Sequence, residues 1–317
     1  MYYNFSMIQI TDTTYQIFNK AQNPRLAEQD YLECAVLNAL FTDDYIRENF
    51  VFTGGATLSK SYGIGGRIGR DIDLALVNFT DLPNDRTKKQ LSNFRKVFKK
   101  FTFGDLRDRV AKVINKNNRF NIITDRDWPS PENTERVASS PALHMLYESE
   151  LGTGHLCLEI TPRHYSRTKI QHHTLIPYSI NSQIGAPIPT VSYEQTFWDK
   201  IFALHSNAHA TTPHCDKCFS RHYYDVAALA PYVDLDETYK MLNDTIAYQL
   251  RHTTKDINLS HARDAILVPN DKTLYKLADD YYAMSGTFVG PQTSWNTIVQ
   301  TLQNLTQDLR TIKKQRG

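Results

Sequence analysis

Asp71 and Asp73 stand two residues apart in the run Arg70-Asp71-Ile72-Asp73-Leu74-Ala75-Leu76. Side chains on a strand alternate sides, so Ile72, Leu74 and Leu76 point into a core and the two aspartates point together the other way. Two carboxylates one strand step apart repel each other unless a cation sits between them. An oxygen-only donor set suits Mg²⁺, which takes one or two carboxylates together with substrate phosphates. Upstream, Phe52-Thr53-Gly54-Gly55-Ala56-Thr57-Leu58-Ser59-Lys60 reads as a short apolar strand, a glycine turn and a helix start. The glycine pair lets backbone approach a phosphate closely, and the N–H groups that open a helix face an anion. These types and spacings favour metal-assisted chemistry on a phosphorylated substrate.

Three further stretches carry groups of the right kind. His155-Leu156-Cys157-Leu158-Glu159-Ile160-Thr161 alternates cleanly, with Leu156, Leu158 and Ile160 on one face and Cys157 and Glu159 on the other. Glu159 sits either mid-strand in a central position or on the solvated face of an edge strand. Lys200 lies at the edge of the apolar stripe Tyr193, Phe197, Ile201, Leu204 and Ala208, where a lysine snorkels or points into a pocket. Ser220-Arg221-His222-Tyr223-Tyr224-Asp225 opens another helix, on which Arg221 and Asp225 stand at i,i+4 spacing. His205, His209, His214, Cys215 and Cys218 lie close together. One Cys-x-x-Cys pair without a second is a weak zinc signal, so no zinc is expected there.

The elements that position these groups follow from periodicity. A helical pattern runs from Ala27 to about Phe50, and Asp30 in it reads as a helix-start residue favoured by the dipole. Leu82-Pro83-Asn84-Asp85 is a turn, and residues 86–103 predict a helix with Leu91, Phe94, Val97, Phe98 and Phe101 inside. A second helix spans Leu106 to Ile114, a strand Arg119 to Thr124, and Asp127-Trp128-Pro129-Ser130-Pro131 a loop. Residues 1–25 look irregular. Residues 166–190 hold two extended pieces broken by Pro177, Pro187 and Pro189, and this stretch is the best candidate domain boundary. After it the chain reads as helical. The next helix opens at Ser192, with Gln195 placed for a capping box, and Ile298, Leu302, Leu305 and Leu309 mark a final amphipathic helix.

At 317 residues, one large or two modest domains are expected, and 41% hydrophobic content is enough for a real core. No apolar run is long enough to span a bilayer. The first residues lack the basic flank and apolar run of a signal peptide, and four scattered cysteines make no disulfide scaffold, so a soluble cytoplasmic protein is the default. The net charge of +2 hides an asymmetry. Residues 86–119 carry twelve Lys or Arg against two Asp, and the rest of the chain is acidic by contrast. A basic segment on an acidic body is the footprint of a nucleic-acid contact, or else a solvated helix face.

Gly54-Gly55, Thr57, Leu58, Ser59, Lys60, Tyr62, Gly63, Arg67 and Asp71-Ile72-Asp73-Leu74 together resemble the first motif of the DNA polymerase β-like nucleotidyltransferases. More narrowly, they resemble that of the AbiEii-type toxins of bacterial abortive-infection and type IV toxin–antitoxin systems. Tyr193 to Ile201, Ser220 to Asp225 and Ala278-Asp279-Asp280-Tyr281-Tyr282-Ala283-Met284 are similar to later signatures, so the resemblance runs from about Glu28 to Leu309. It implies an α/β (α+β) fold: a nucleotidyltransferase domain with a mixed sheet over residues 1–190, and a helical domain over 191–317 that completes the nucleotide pocket. It implies that Asp71, Asp73 and Glu159 hold Mg²⁺, with Mn²⁺ as the alternative. Gly54, Gly55, Thr57, Ser59 and Lys60 would bind the nucleotide. Lys200 would bind the triphosphate, Asp225 would orient Lys200, and Arg221 would pair with Asp225 or reach a phosphate.

The reaction so implied moves a nucleoside monophosphate from a nucleoside triphosphate to an acceptor hydroxyl. The acceptor would be RNA such as a tRNA 3′ end, met by the basic segment 86–119, and a cognate antitoxin would be a partner. Two other readings stand beside it: a nucleotide- or RNA-binding module without turnover, and an enzyme that modifies a protein hydroxyl. This chain departs from the family's Arg-Phe-Ser-Glu-Asp-Ile-Asp at Gly69 and Arg70, which bears on how tightly nucleotide binds.

Overall fold

The computed structural model describes residues 8, 10–69, 71–77, 82, 83, 85–115, 119–128, 140–216, 218–253 and 259–312. Arg70, Asn84 of the predicted turn and Pro129-Ser130-Pro131 of the predicted loop lie outside the described residues. The chain divides into two compact units, one of residues 1–63, 68–81 and 86–191, the other of 64–67, 82–85 and 192–317.

The first unit is built on a mixed sheet. Its strands are β1 (Phe50–Thr53), β2 (Asp71–Leu76), β3 (Phe120–Thr124), β4 (Ala142–Ser149), β5 (Gly152–His164), β6 (Ile170–Leu175) and β7 (Ile184–Val191). Their order is β3-β4-β5-β2-β1-β7-β6. β2 runs antiparallel to β1 and parallel to β5, and β7 runs parallel to β1. The stretch 166–190 therefore adds two strands to the sheet, with Pro187 and Pro189 inside β7. Alternation puts Ile72, Leu74 and Leu76 on one face, where they join Leu143, Met145, Leu156, Leu158 and Ile160. The helix Pro24–Leu40 packs on that face through Leu32, Val36, Leu37 and Leu40. Each of these fully buried aliphatic side chains contributes about 1.5–3 kcal/mol.

The helix Pro24–Leu40 begins where the sequence dictates. Asn23 accepts a hydrogen bond from the Leu26 N–H at 3.2 Å, and Pro24 stands in the first turn, where its missing N–H costs nothing. Two helices replace the single one expected over 27–50, because Asp43 caps a second, Asp44–Asn49, by accepting from the Ile46 N–H at 3.0 Å. Thr11 likewise caps a short helix, Asp12–Phe18, within the stretch read as irregular. The basic segment forms the helices Lys88–Phe101 and Arg107–Ile114, joined by one wide π turn at Thr102–Leu106. Leu91 and Phe98 face inward, but Val97, expected inside, is 65% exposed.

The second unit contributes the helices Tyr193–Ala208, Arg221–Leu229, Leu235–Thr238, Met241–His252, Asp271–Ala283 and Trp295–Thr311. Phe197, Trp198, Ile201, Leu204, Tyr223, Val226, Tyr281 and Leu302 are fully buried within it. Ser192 caps its helix by accepting from the Gln195 N–H. The Gln195 side chain does not close a capping box; it reaches forward to Asp199 at 2.8 Å and to Thr245.

Candidate active site

The sheet register brings the acidic residues of the first unit together. Asp71 lies beside Cys157 and Asp73 beside Glu159 on the neighbouring parallel strand. Residues in register share a face, so Asp71, Asp73 and Glu159 look out from the side opposite the core that holds Ile72 and Leu74. β5 lies between β4 and β2, so Glu159 occupies an interior strand rather than an edge. All three side chains are half-buried.

The glycine turn is shaped around this face. Gly54 has φ +81°, and a Cβ on it would lie 1.9 Å from Oδ2 of Asp73. Only glycine lets the turn pass this carboxylate. Gly69 is equally constrained, since a Cβ there would lie 2.6 Å from the Ala56 Cβ. The serine usual in the resembled motif has no room here unless Ala56 moves.

Two sequence-predicted nucleotide ligands are turned inward. Thr57 is fully buried, and its hydroxyl donates to the Gly54 carbonyl at 2.8 Å, closing the turn. Lys60 is 1% exposed and is ion-paired with Asp30 and, at 2.9 Å, with Glu33. Its ammonium therefore holds the five-residue helix Ala56–Lys60 to the helix Pro24–Leu40 rather than reaching a phosphate. Asp30 is correspondingly no helix-start residue. It is buried in mid-helix and also accepts from the Tyr178 N–H at 2.6 Å. Burial pushes Glu33 up to about 7 against the pull of Lys60, and the neighbouring Asp30 carboxylate adds a smaller push in the same direction. Ser59 remains half-buried, with its hydroxyl 3.4 Å from the Ala56 carbonyl.

A second charged cluster lies within the helical unit. Lys200 Nζ is 2.8 Å from Asp225 Oδ2, and Arg67 grips the same carboxylate through Nη2 at 2.9 Å and Nε at 3.2 Å. The side chains of Arg67, Lys200 and Asp225 are 8%, 8% and 3% exposed. Burial pushes Asp225 up, but Arg67 and Lys200 outweigh it and hold its carboxyl far below the usual range. Burial also lowers Lys200, against the pull of Asp225, with Arg67 and Arg221 adding to the lowering. Burial and then Lys200 and Arg221 keep His222 neutral. Two buried cations thus gather on one carboxylate, a setting that an anionic ligand would suit. Asp225 takes hydrogen bonds from both Arg67 and Lys200.

Two supports of this cluster escaped sequence reasoning. The Tyr224 hydroxyl accepts from the Gly66 N–H at 2.7 Å, pinning the segment that carries Arg67. Asp280 accepts from the N–H groups of Cys218 and Ser220 at 2.8 Å each and from the Ser220 hydroxyl, which fixes the start of the helix bearing Asp225. Its only sequence signal was its place in the last signature. Arg67 stood in the first motif, with no sign that its partner lay at Asp225.

In the histidine and cysteine stretch, His205 Nδ1 accepts from the Ile266 N–H, and Asn207 bonds the backbone of His214. Among the described residues no group of three or more His, Cys, Asp and Glu side chains is arranged to hold a metal ion, Asp71, Asp73 and Glu159 included. At Asp71 and Asp73 the donors are all oxygen, which fits a hard divalent cation that completes its shell with phosphate and water. No helix among the described residues is long and apolar enough to cross a membrane.

A family model described as nucleotidyl transferase AbiEii toxin, type IV TA system, matches residues 35–302. Among solved structures, MenT4, the nucleotidyltransferase toxin Rv2826c from Mycobacterium tuberculosis H37Rv, is 13% identical with a TM-score of 0.57, over 96% of this chain and 91% of that one. JHP933 from Helicobacter pylori is 14% identical with a TM-score of 0.48, over 90% and 91%. No curated protein matches.

Proposed function

Because this chain belongs to the AbiEii family of nucleotidyltransferase toxins of type IV toxin–antitoxin systems, we propose that it transfers a nucleoside monophosphate from a nucleoside triphosphate to a hydroxyl of RNA, with Mg²⁺ held by Asp71, Asp73 and Glu159. The observation that carries this reading is the register that sets Glu159 beside Asp73, with the Gly54 turn packed against the same carboxylate. Mg²⁺, or Mn²⁺ in its place, would neutralise triphosphate charge and polarise the α-phosphate when bound.

The side chains supply the rest. Asp71 and Asp73 present their oxygens on one face of β2, and Glu159 adds a third from β5. The Gly54-Gly55 turn admits phosphate close to backbone, with the Ser59 hydroxyl beside it. By the family resemblance Lys200 would bind the triphosphate, and within the second unit Asp225 holds both Lys200 and Arg67. The exposed Lys88, Lys89, Lys96 and Lys100 favour RNA as the acceptor. Arg107 and Arg109 add less, being paired with Asp108 and Asp43. A cognate antitoxin is the expected partner in the cell.

The test is to incubate the protein with Mg²⁺ and each α-labelled nucleoside triphosphate, supplying total cellular RNA and total protein side by side. Label in RNA with the unaltered chain and none with Asp73→Ala is expected. Label in protein alone would replace the acceptor, and label in neither would remove the transferase reading for these acceptors.

A further inference from the structure

Beyond Asp73, the carboxylate face of the sheet carries an aromatic brace that the proposed function does not use. Thr53 pairs with Asp73 and Val51 with Ala75, so Thr53 and Val51 stand on that face. Tyr165 packs there with Val51, Ala75, Val77 and Val191 and is 5% exposed. Its hydroxyl reaches along the sheet to Thr53, whose Oγ1 donates to it at 3.3 Å. Thr53 is buried as well, and among the described residues its side chain makes no other hydrogen bond.

A local irregularity delivers the ring. Between β2 and β5 the register runs Asp73–Glu159 and Ala75–Thr161, then jumps to Leu76–His164, so Pro162 and Arg163 bulge out of the ladder. The Arg163 N–H donates to the Thr161 hydroxyl at 3.3 Å within the bulge. The Tyr165 N–H restores pairing by donating to the Leu76 carbonyl at 3.2 Å. The Arg163 guanidinium lies over the Tyr165 ring, 4.6 Å from its centroid, so a cation fixes the ring as well as apolar packing does.

Thr53 is the last residue before Gly54. That turn has no slack against Asp73, since a Cβ on Gly54 would lie 1.9 Å from Asp73 Oδ2. The Tyr165–Thr53 bond therefore ties the strand that carries Glu159 to the turn that packs on Asp73. We propose that Tyr165 is a positioning residue: through Thr53 it sets where the Gly54-Gly55 turn lies beside the carboxylates, and so how tightly the turn receives the phosphates of a nucleoside triphosphate. The inference rests on the transferase reading for the identity of that ligand, and on the Tyr165–Thr53 geometry for the group that aligns its cradle.

Tyr165→Phe, Thr53→Val and the double variant form the informative set. Tyr165→Phe keeps the ring and leaves the Thr53 hydroxyl buried without its acceptor. Thr53→Val keeps the shape and removes the donor, whereas Thr53→Ser keeps the hydroxyl. Three readouts are needed: binding of each ribonucleoside triphosphate with Mg²⁺ and no acceptor, label transfer with total cellular RNA varied, and the melting temperature. Losing one hydrogen bond predicts about a fivefold rise in triphosphate Kd in each single variant. The double variant should again show about fivefold, not about 25-fold, because both changes remove the same bond. Thr53→Ser should bind as the unaltered chain does, and KM for RNA should stay unchanged throughout.

Single losses that multiply in the double variant, RNA and triphosphate constants that move together, or a triphosphate Kd that holds while only the melting temperature falls would each overturn the proposal. So would an unaltered chain that binds no ribonucleoside triphosphate. Triphosphate binding that depends on Tyr165 and Thr53 in a chain that transfers no label would sustain the positioning role while removing the transferase reading.

Discussion

Replacing Asp225 by Asn keeps the shape of the side chain and removes the charge on which two buried cations depend. Lys200 loses a partner at 2.8 Å and Arg67 loses a forked contact at 2.9 and 3.2 Å. Stripping one partner from a buried pair costs about 3–5 kcal/mol, because the remaining charge stays buried and unpaired. The melting temperature of the second unit should fall by about 10 °C. Lys200→Met should behave differently. Arg67 and Asp225 still pair, a neutral chain of similar length fills the space, and stability should change by less than about 1.5 kcal/mol. Transfer should nevertheless drop by about 100-fold or more, from loss of charge at the triphosphate.

Thermal and urea unfolding of both variants, beside label transfer, separates the two effects. Asp225→Asn within about 0.5 kcal/mol of the unaltered chain would refute the view that Asp225 holds the cluster together. The acid limb carries the same signature. The folded carboxyl sits below its ordinary value of 3.8, so its stabilisation is present above that pH and is lost as pH falls below it. Asp225→Asn should flatten that limb.

Three further outcomes are expected. Glu33 is raised from 4.5 to about 7 in the folded chain, so its stabilisation is full below pH 4.5 and fades as pH rises through 7, by about 3 kcal/mol; Glu33→Gln should remove this slope in melts from pH 4.5 to 8. Gly54→Ala meets both a positive φ and the Asp73 carboxylate, and should lower stability by about 1–3 kcal/mol and transfer by far more, read by unfolding and by label incorporation. Lys96→Glu with Lys100→Glu should weaken RNA binding and lower the slope of log affinity against log salt by about two, with triphosphate binding unchanged.

The parts of the site that could be read from the chain are those with local causes. Asp71, Asp73 and the Gly54 turn are legible because strand alternation and glycine permissiveness act over a few residues. Glu159 is legible as a lone carboxylate in an apolar alternation, but its place beside Asp73 needs the parallel register. Lys60 misleads. It follows the glycine motif as a phosphate ligand would, and its partners Asp30 and Glu33 lie a helix away in the chain. Arg67 and Asp225 are 158 positions apart, and no periodicity links them. Likewise β7 lies beside β1 through parallel pairing, which leaves no hairpin signal, and the hydrogen-bonded Asp125–His144–His155 chain depends on partners across two strands. Charge pattern marked the basic helices, while Val97 shows that an apolar residue in such a helix need not face the core.

The most direct test of the account counts two products in one reaction: nucleotide incorporated into RNA and pyrophosphate released, in the presence of Mg²⁺ and with the metal chelated. Equal amounts of each, both absent on chelation and in Asp73→Ala, are the predicted result. Triphosphate that binds without releasing pyrophosphate, or that yields inorganic phosphate with no labelled RNA, would contradict nucleotidyl transfer at these carboxylates.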